Sequence, residues 1–401
     1  MESVMKPADQ PTTLWAALAI LAISLILQNE FDTRHALLFL IGTGLGISLM
    51  HALFGFTGGW RRFQRERRGA GVRAQLLLLA LSSILFFPVI GHAIPGVHAV
   101  AANGSVALMV VVGAFLFGIG MQLGGGCGSG TLFTVGGGHV VMLIVLAFFV
   151  VGATVASLHL PWWNTILNGG RMSIIDEFGG WLPALAVQLA VFAILYYFVT
   201  RIERARHGSV VPLIEKEKSE FSFSERLVAG PWPLWWGAIG LSLLGFATLL
   251  VAGFPWSVTF AFGLWGAKIW AALGGDPASW GYWSSGYPAK ALSSSVLADT
   301  VSIMNFGVIL GAALASALAG KFAPPGKISR NRLAAAIVGG LLLGYGARLA
   351  FGCNIGALLG GIASGSVHGW VWLVAGFIGS AVGVRLRILM KLDPALPGSR
   401  G

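Results

Sequence analysis

An all-α polytopic membrane protein, an inverted repeat of two halves with about 9–10 transmembrane helices plus short re-entrant half-helices, is the fold class this chain predicts. Three observations predict it. The 401 residues are 56% hydrophobic and only 10% charged, with a mean hydropathy of +0.80, against roughly a quarter charged in soluble domains. One glycine-framed motif occurs twice, half a chain apart, and holds the two cysteines of the chain. The basic residues gather in four segments whose spacing sets the direction of each span.

Apolar stretches near the ~20 residues that cross a bilayer lie at 14–28, 36–60, 74–94, 105–123, 140–158, 181–200, 234–251, 301–318, 333–350 and 367–384. Lipid offers the backbone no hydrogen bonds, so helices are expected; a barrel would alternate polar and apolar residues in segments of about ten. We read 1–33 as an N-terminal segment with the first transmembrane helix, retained because no small-residue cleavage site closes its apolar run. The first half then covers 34–200 and the second 230–388, joined by a charged linker at 201–229 and followed by a tail at 389–401.

Charge sorts the connections. Arg61, Arg62, Arg65, Arg67, Arg68 and Arg73 fill 61–73; Arg201, Arg204, Arg206, Lys216, Lys218 and Arg226 fill the linker. Lys321, Lys327, Arg330 and Arg332 fill 321–332, and Arg385, Arg387, Lys391 and Arg400 belong to the C-terminus. Together they account for the net charge of +11 without nucleic acid, and the positive-inside pattern places all four in the cytoplasm of a bacterial cell, the spans lying in its inner membrane. The linker adds Glu203, Glu215, Glu217, Glu220 and Glu225, a polar connector between halves. Threaded through these anchors, the span before Cys127 runs inward and the span before Cys353 outward. The halves are therefore expected to be inverted, an architecture of proteins that pass a solute through a site near the midplane.

The motif reads Gly118-Ile-Gly-Met-Gln-Leu-Gly-Gly-Gly-Cys127-Gly-Ser-Gly-Thr-Leu132, and again Gly344-Tyr-Gly-Ala-Arg-Leu-Ala-Phe-Gly-Cys353-Asn-Ile-Gly-Ala-Leu358. Successive glycines break a helix, and broken helices at membrane depth line cavities. After each cysteine comes a segment too short to span, 128–135 and 354–362, read as a re-entrant half-helix whose N-terminal N–H groups face an anion site. The substrate-pathway set is thus Cys127, Cys353, Gly126, Gly128, Gly130, Gly352, Asn354 and Gly356, with Gln122 and Arg348 at the matching place five residues before each cysteine. A plainer reading leaves each cysteine as a small hydrophobe packing a broken helix; two matched copies weigh against it.

Other groups narrow the chemistry. Neither motif has His or Asp at ligand spacing, so no metal and no other cofactor is expected, and there is no CxxC redox pair. Lys268, in a short amphipathic run at 257–272, joins Arg348 as an intramembrane cation and a pathway candidate; snorkelling is the alternative for it and for Lys290. Apart from Asp299, no carboxylate falls clearly inside the apolar region, which disfavours a proton or cation path and favours a small anion.

The duplicated Gly-x-Gly-x-x-x-x-x-Gly-Cys-x-x-Gly-x-Leu motif resembles that of the YeeE/YedE family of bacterial membrane sulfur transporters, over about 37–386. The resemblance implies a multi-pass inner-membrane protein, not an enzyme, that imports thiosulfate or a related sulfur anion, with Cys127 and Cys353 at a constriction. Thiosulfate importers of the family carry a further cysteine in an early segment, where this chain has Gly55 within His51-Ala-Leu-Phe-Gly55-Phe-Thr-Gly-Gly-Trp60. Either two thiols suffice or the substrate differs. Protonated thiols would donate S–H to the ion and, being weak donors, release it again. The alternatives are a membrane thiol oxidoreductase or sulfurtransferase, and a membrane subunit serving a soluble sulfurtransferase or sulfur-carrier protein on the cytoplasmic side. Membrane lipid is the remaining expected partner.

Overall fold

The computed structural model describes residues 8–214, 222–323 and 326–393. Glu215, Lys216, Glu217, Lys218 and Glu220 of the linker, and Arg400 of the tail, lie outside the described residues. Among those described, ten helical stretches are long and apolar enough to span a membrane, one on each apolar stretch of the sequence.

In chain order the elements are α1 (Gln10–Glu30), α2 (Thr33–Ala52), α3 (Phe56–Glu66), α4 (Ala70–Ile90), β1 (Ser105–Ala107), α5 (Leu108–Gly124), α6 (Gly128–Gly136) and α7 (Val140–Trp163). There follow β2 (Asn168–Arg171), α8 (Ile174–Glu177), α9 (Trp181–His207), α10 (Phe223–Ala229), α11 (Leu234–Ala252) and α12 (Thr259–Ala272). The chain closes with α13 (Gly286–Ser293), α14 (Thr300–Leu318), α15 (Arg330–Leu349), a π-helical turn (Asn354–Leu359), α16 (Gly360–Ala363) and α17 (Val367–Leu389). β1 and β2 form one short antiparallel ribbon.

Helix starts follow their caps. Asp9, Asp32, Asp299 and Ser329 accept N–H groups of the first turns of α1, α2, α14 and α15, which satisfies donors that an apolar surrounding would leave bare. Small residues then let the spans approach to backbone contact. α5 lies on α15 through Gly113 and Gly120, and α15 lies on α7 through Gly340.

The packing falls into two groups, α5, α7, α15 and α17 around the cysteine motifs, and α2, α4, α11 and α14 beside them. The pairs match: α5 rests on α17 and α15 on α7, while α2 rests on α14 and α4 on α11. Rings of Trp372, Phe117, Phe149 and Phe262 run through the interior in successive contact, 4.7–6.2 Å between neighbouring centroids. α1 and α9 are peripheral.

One end of the bundle carries the basic segments. There Arg73 and Arg68 meet the buried Glu203, Arg65 meets Asp393, Asn331 donates to the Met390 carbonyl, and Asp9 N–H donates to the Ala317 carbonyl. At the opposite end Arg34 donates to the carbonyls of Val251 and Ala252, and 100–104 is pinned to Gly253, Ser364 and His368.

Candidate functional site

Interrupted helices bring non-helical backbone to one place in the interior. α5 stops at Gly124, and Gly125 turns the chain at φ +89, a conformation glycine adopts without a Cβ clash. Cys127 then caps α6. α15 stops at Leu349, and Cys353 caps the π-helical turn. The repeated motif has yielded a repeated backbone, with φ −86 and ψ −166 at Cys127 and φ −100 and ψ −166 at Cys353. A third interruption, 253–258 between α11 and α12, meets them: Asn305 Nδ2 donates to the Val258 carbonyl at 2.9 Å and holds it in place.

Gly128 is the meeting point. A Cβ there would stand 2.9 Å from Cys353 Sγ and 3.5 Å from Thr259 Cγ2, closer to sulfur than any real Cβ stands. Only glycine lets the first turn of α6 reach the second cysteine. A Cβ on Gly130 would lie 3.4 Å from Cys127 Sγ, so the same turn has one thiol on each side. Gly126 and Gly352 pack on the amides of the following turns, and Gly356 faces Ser257. Both thiols are buried, at 1% and 0% exposure, and both are free.

The hydrogen bonds leave donors uncommitted. Ile355 N–H donates to Cys353 Sγ at 3.4 Å, so this sulfur accepts locally and its S–H is free to donate elsewhere. Cys127 Sγ lies 3.6 Å from Ser129 Oγ. Asn354, which holds the place of Gly128 in the second copy, is fully buried, yet neither its amide oxygen nor its nitrogen has a partner among the described residues. A bare buried amide costs about 1–3 kcal/mol, so a polar guest would stabilise it. Gln122 is half satisfied: Nε2 donates to Thr57 O at 3.2 Å and Ser380 Oγ at 2.9 Å, while Oε1 is unpartnered.

The two intramembrane cations differ. Arg348 donates to Tyr282 Oη at 2.6 Å and lies over the Tyr282 ring, 4.4 Å from its centroid, with Phe260 and Trp283 also near; no carboxylate pairs it among the described residues. Its Nη2 sits against Gly263 of α12, one turn from Thr259. Lys268 is committed instead to the carbonyls of Leu292 and Ser294, each at 2.6 Å.

A cavity of about 900 Å³ leads from the basic end to the first motif. Gly125, Gly126, Cys127 and Gly130 line its depth, Gly55 and Thr57 its side, and Arg61, Arg62 and Arg68 its mouth with Glu66. Composition and loop charge account for those arginines by topology alone, so their place in the cavity lining was missed; the amphipathic pattern of 56–66 was the signal. At the same basic end Asp393 ties α3 to α17. It takes two hydrogen bonds from Arg387 at 2.7 and 2.8 Å and one from Arg65 at 2.9 Å, while Arg387 Nη1 donates to the Gln122 carbonyl at 2.6 Å. The Arg387 hydrogen bond holds the Asp393 carboxyl below its ordinary value, with Arg61 and Arg65 adding to the effect. Among the described residues no three His, Cys, Asp or Glu side chains group as metal ligands. Ser257, Thr259 and Asn305 were not singled out by sequence; a lone amide within the apolar stretch 301–318 marked Asn305.

Known proteins resemble this chain over most of its length. The family model described as sulphur transport matches residues 51–382. The protein named thiosulfate transporter TsuA of Spirochaeta thermophila is 25% identical over 83% of this chain and 92% of its own length, and that of Escherichia coli K12 is 25% identical over 84% and 90%. The protein named probable transporter YedE of Escherichia coli K12 is 34% identical, over 35% of this chain; the match spans about a third of that relative, 34% of its length.

Proposed function

The chain belongs to the sulphur transport family, and on that premise we propose that it imports thiosulfate or a closely related small sulfur-containing anion across the bacterial inner membrane. The observation that carries this reading is the pair of free thiols set on either side of the first turn of α6, one of them, Cys127, at the depth of a cavity whose mouth is basic.

An anion entering this constriction loses water. Thiol S–H groups, the first N–H groups of α6 with their positive dipole end, and the uncommitted Asn354 amide replace part of it. None is a full charge, which keeps the constriction from holding what it should release. Charge stands on either side instead. Arg348, five residues before Cys353, draws the dianion from the outer side, and Arg61, Arg62 and Arg68 receive it in the cavity at the cytoplasmic end. Gln122 keeps the matching place neutral because the cavity already supplies cations. Lys268 acts as an anchor for 286–294, its ammonium being committed to carbonyls.

In this reading the basic end is cytoplasmic and the halves are inverted copies. The matched pairing of α5 on α17 with α15 on α7, and the like backbone of the two cysteines, support the inversion. The test is entry of labelled thiosulfate into lipid vesicles that hold the purified protein alone. Entry competed by unlabelled thiosulfate is expected. Entry only after a cytosolic sulfurtransferase or sulfur carrier is supplied would replace a self-sufficient transporter with a membrane subunit, and the absence of entry under both conditions would overturn the reading.

A further inference from the structure

The short helix α3 runs along the cavity from the basic end. Arg61, Arg62 and Glu66 of its later turns stand at the mouth, and Gly55, Thr57 and Gly58 at its start line the side, ~15 Å away along an 11-residue helix. That start is uncapped. Gly55 holds the N-cap place with no side chain to offer, so the N–H groups of Phe56, Thr57 and Gly58 have no capping acceptor. Room is left beside them: a Cβ on Gly55 or on Gly58 would meet no atom within 4 Å, and both glycines line the cavity.

Water alone could serve a helix start that borders open space. Thr57 sets this one apart. It is only 4% exposed, it lines the same cavity as Cys127, and its hydroxyl has no hydrogen-bond partner among the described residues, a cost that a guest accepting from it would remove. The backbone around it is braced: Gln122 Nε2 donates to the Thr57 carbonyl at 3.2 Å and to Ser380 Oγ at 2.9 Å, while Gln75 Nε2 donates to the Gly55 carbonyl at 3.3 Å. The turn is fixed and its donors are uncommitted, which is the form of a preorganised anion site. The donors also narrow the guest. Hydroxyl and amide hydrogens are strong donors to oxygen, whereas thiols are weak ones.

We propose that the first turn of α3 is a second binding station for the transported ion, which takes the oxygen-bearing end of a sulfur oxyanion on the Thr57 hydroxyl and the N–H groups of Phe56, Thr57 and Gly58. The station rests on the import reading. It makes Thr57 a specificity residue: an anion with sulfonyl oxygens is held there, one without oxygen is not, and Arg61, one turn along the same face, draws the held ion to the mouth. Equilibrium dialysis of labelled thiosulfate against the purified protein, at fixed ionic strength, reads the station in a chain without thiols, Cys127→Ala with Cys353→Ala. That chain should still bind the label. Adding Thr57→Val, which keeps the shape and removes the hydroxyl, should raise the half-saturating concentration about tenfold, and Thr57→Ser in its place should restore it. Unlabelled methanesulfonate, a single charge with sulfonyl oxygens, should displace the label, and hydrosulfide, a single charge without oxygen, should not. Where the thiol-free chain does not elute as a single species, the same valine and serine pair is read in the unaltered chain by the methanesulfonate concentration that displaces half of the label. Binding by the unaltered chain with none by a well-folded thiol-free chain overturns the station and leaves the import reading standing. Binding indifferent to Thr57→Val overturns the part of the hydroxyl, and equal displacement by the two competitors overturns the oxygen preference. No binding by either chain, with no entry into vesicles, overturns the import reading and the station with it.

Discussion

The two cysteine motifs match in sequence and in the backbone at the cysteines themselves, yet their surroundings differ. Around Cys127 the turn is glycine, the partner helix α6 is regular, the place five residues earlier is a neutral Gln122, and a wide cavity with three arginines adjoins. Around Cys353 the turn carries Asn354, the following segment is π-helical, and the matching place holds Arg348 in a box of aromatic rings. Backbone geometry at the two cysteines is shared; the placement of charge around them is not. Three arginines around a wide mouth and one arginine held over rings are two ways to set a cation beside a buried thiol motif without setting it in the motif's turn.

Removing either thiol tests whether the shared part is what the ion needs, and the largest effect is expected there. Cys127→Ala and Cys353→Ala should each reduce thiosulfate entry to background, with monodispersity in detergent retained. Entry preserved in one of them would break the equivalence of the two motifs. Gly128→Ala comes next, because its Cβ would displace Cys353 Sγ at 2.9 Å, whereas Gly130→Ala meets Cys127 Sγ at an almost ordinary 3.4 Å. Entry should fall by more than tenfold in the first and by less than threefold in the second, on the order of 1.4 kcal/mol separating each decade. Equal losses would mean that the turn itself, not the sulfur facing it, is sensitive.

Arg348→Gln makes the second motif like the first. With no arginine cluster beside that motif among the described residues, the half-saturating thiosulfate concentration should rise several-fold while the maximal rate changes less. A smaller effect is expected from Asp393→Asn, which loosens Arg387 and Arg65 at the basic end. Because the folded carboxyl titrates below its ordinary value, its stabilisation is fully present above the unfolded value of about 3.9 and is lost as pH falls through the folded value. Thermal unfolding in detergent should show the variant a few degrees less stable at neutral pH, with the difference closing below about pH 4.

Much of this arrangement could be read from residues alone. Hydropathy located all ten spans, and the repeated glycine-framed motif marked the two interruptions, because lipid and backbone chemistry act locally on sequence. What could not be read was convergence. Nothing local in Gly128 says that Cys353, more than two hundred residues away, lies against it, and nothing in Arg61 or Arg62 separates a topological charge from one that lines a cavity. Asn354 was singled out by its place in the motif, but its unmet hydrogen bonds are a property of the packed interior.

Gly55 offers the mildest way to sharpen the comparison. It stands where the family resemblance leads one to expect a third cysteine, and it lies on the side of the cavity next to the first motif. Its φ of −136 is accessible to any residue, and a Cβ there would meet no atom within 4 Å. Gly55→Cys should therefore fold without loss, since neither strain nor overpacking opposes it. The new thiol would give the cavity side a donor that the outer side lacks. If the arginines at the mouth already offset the ion's lost water, the added weak donor is redundant, and entry should change by less than about twofold, ~0.4 kcal/mol. A large gain would mean instead that Cys127 needs a thiol beside it, and that charge at the mouth does not substitute for sulfur at depth.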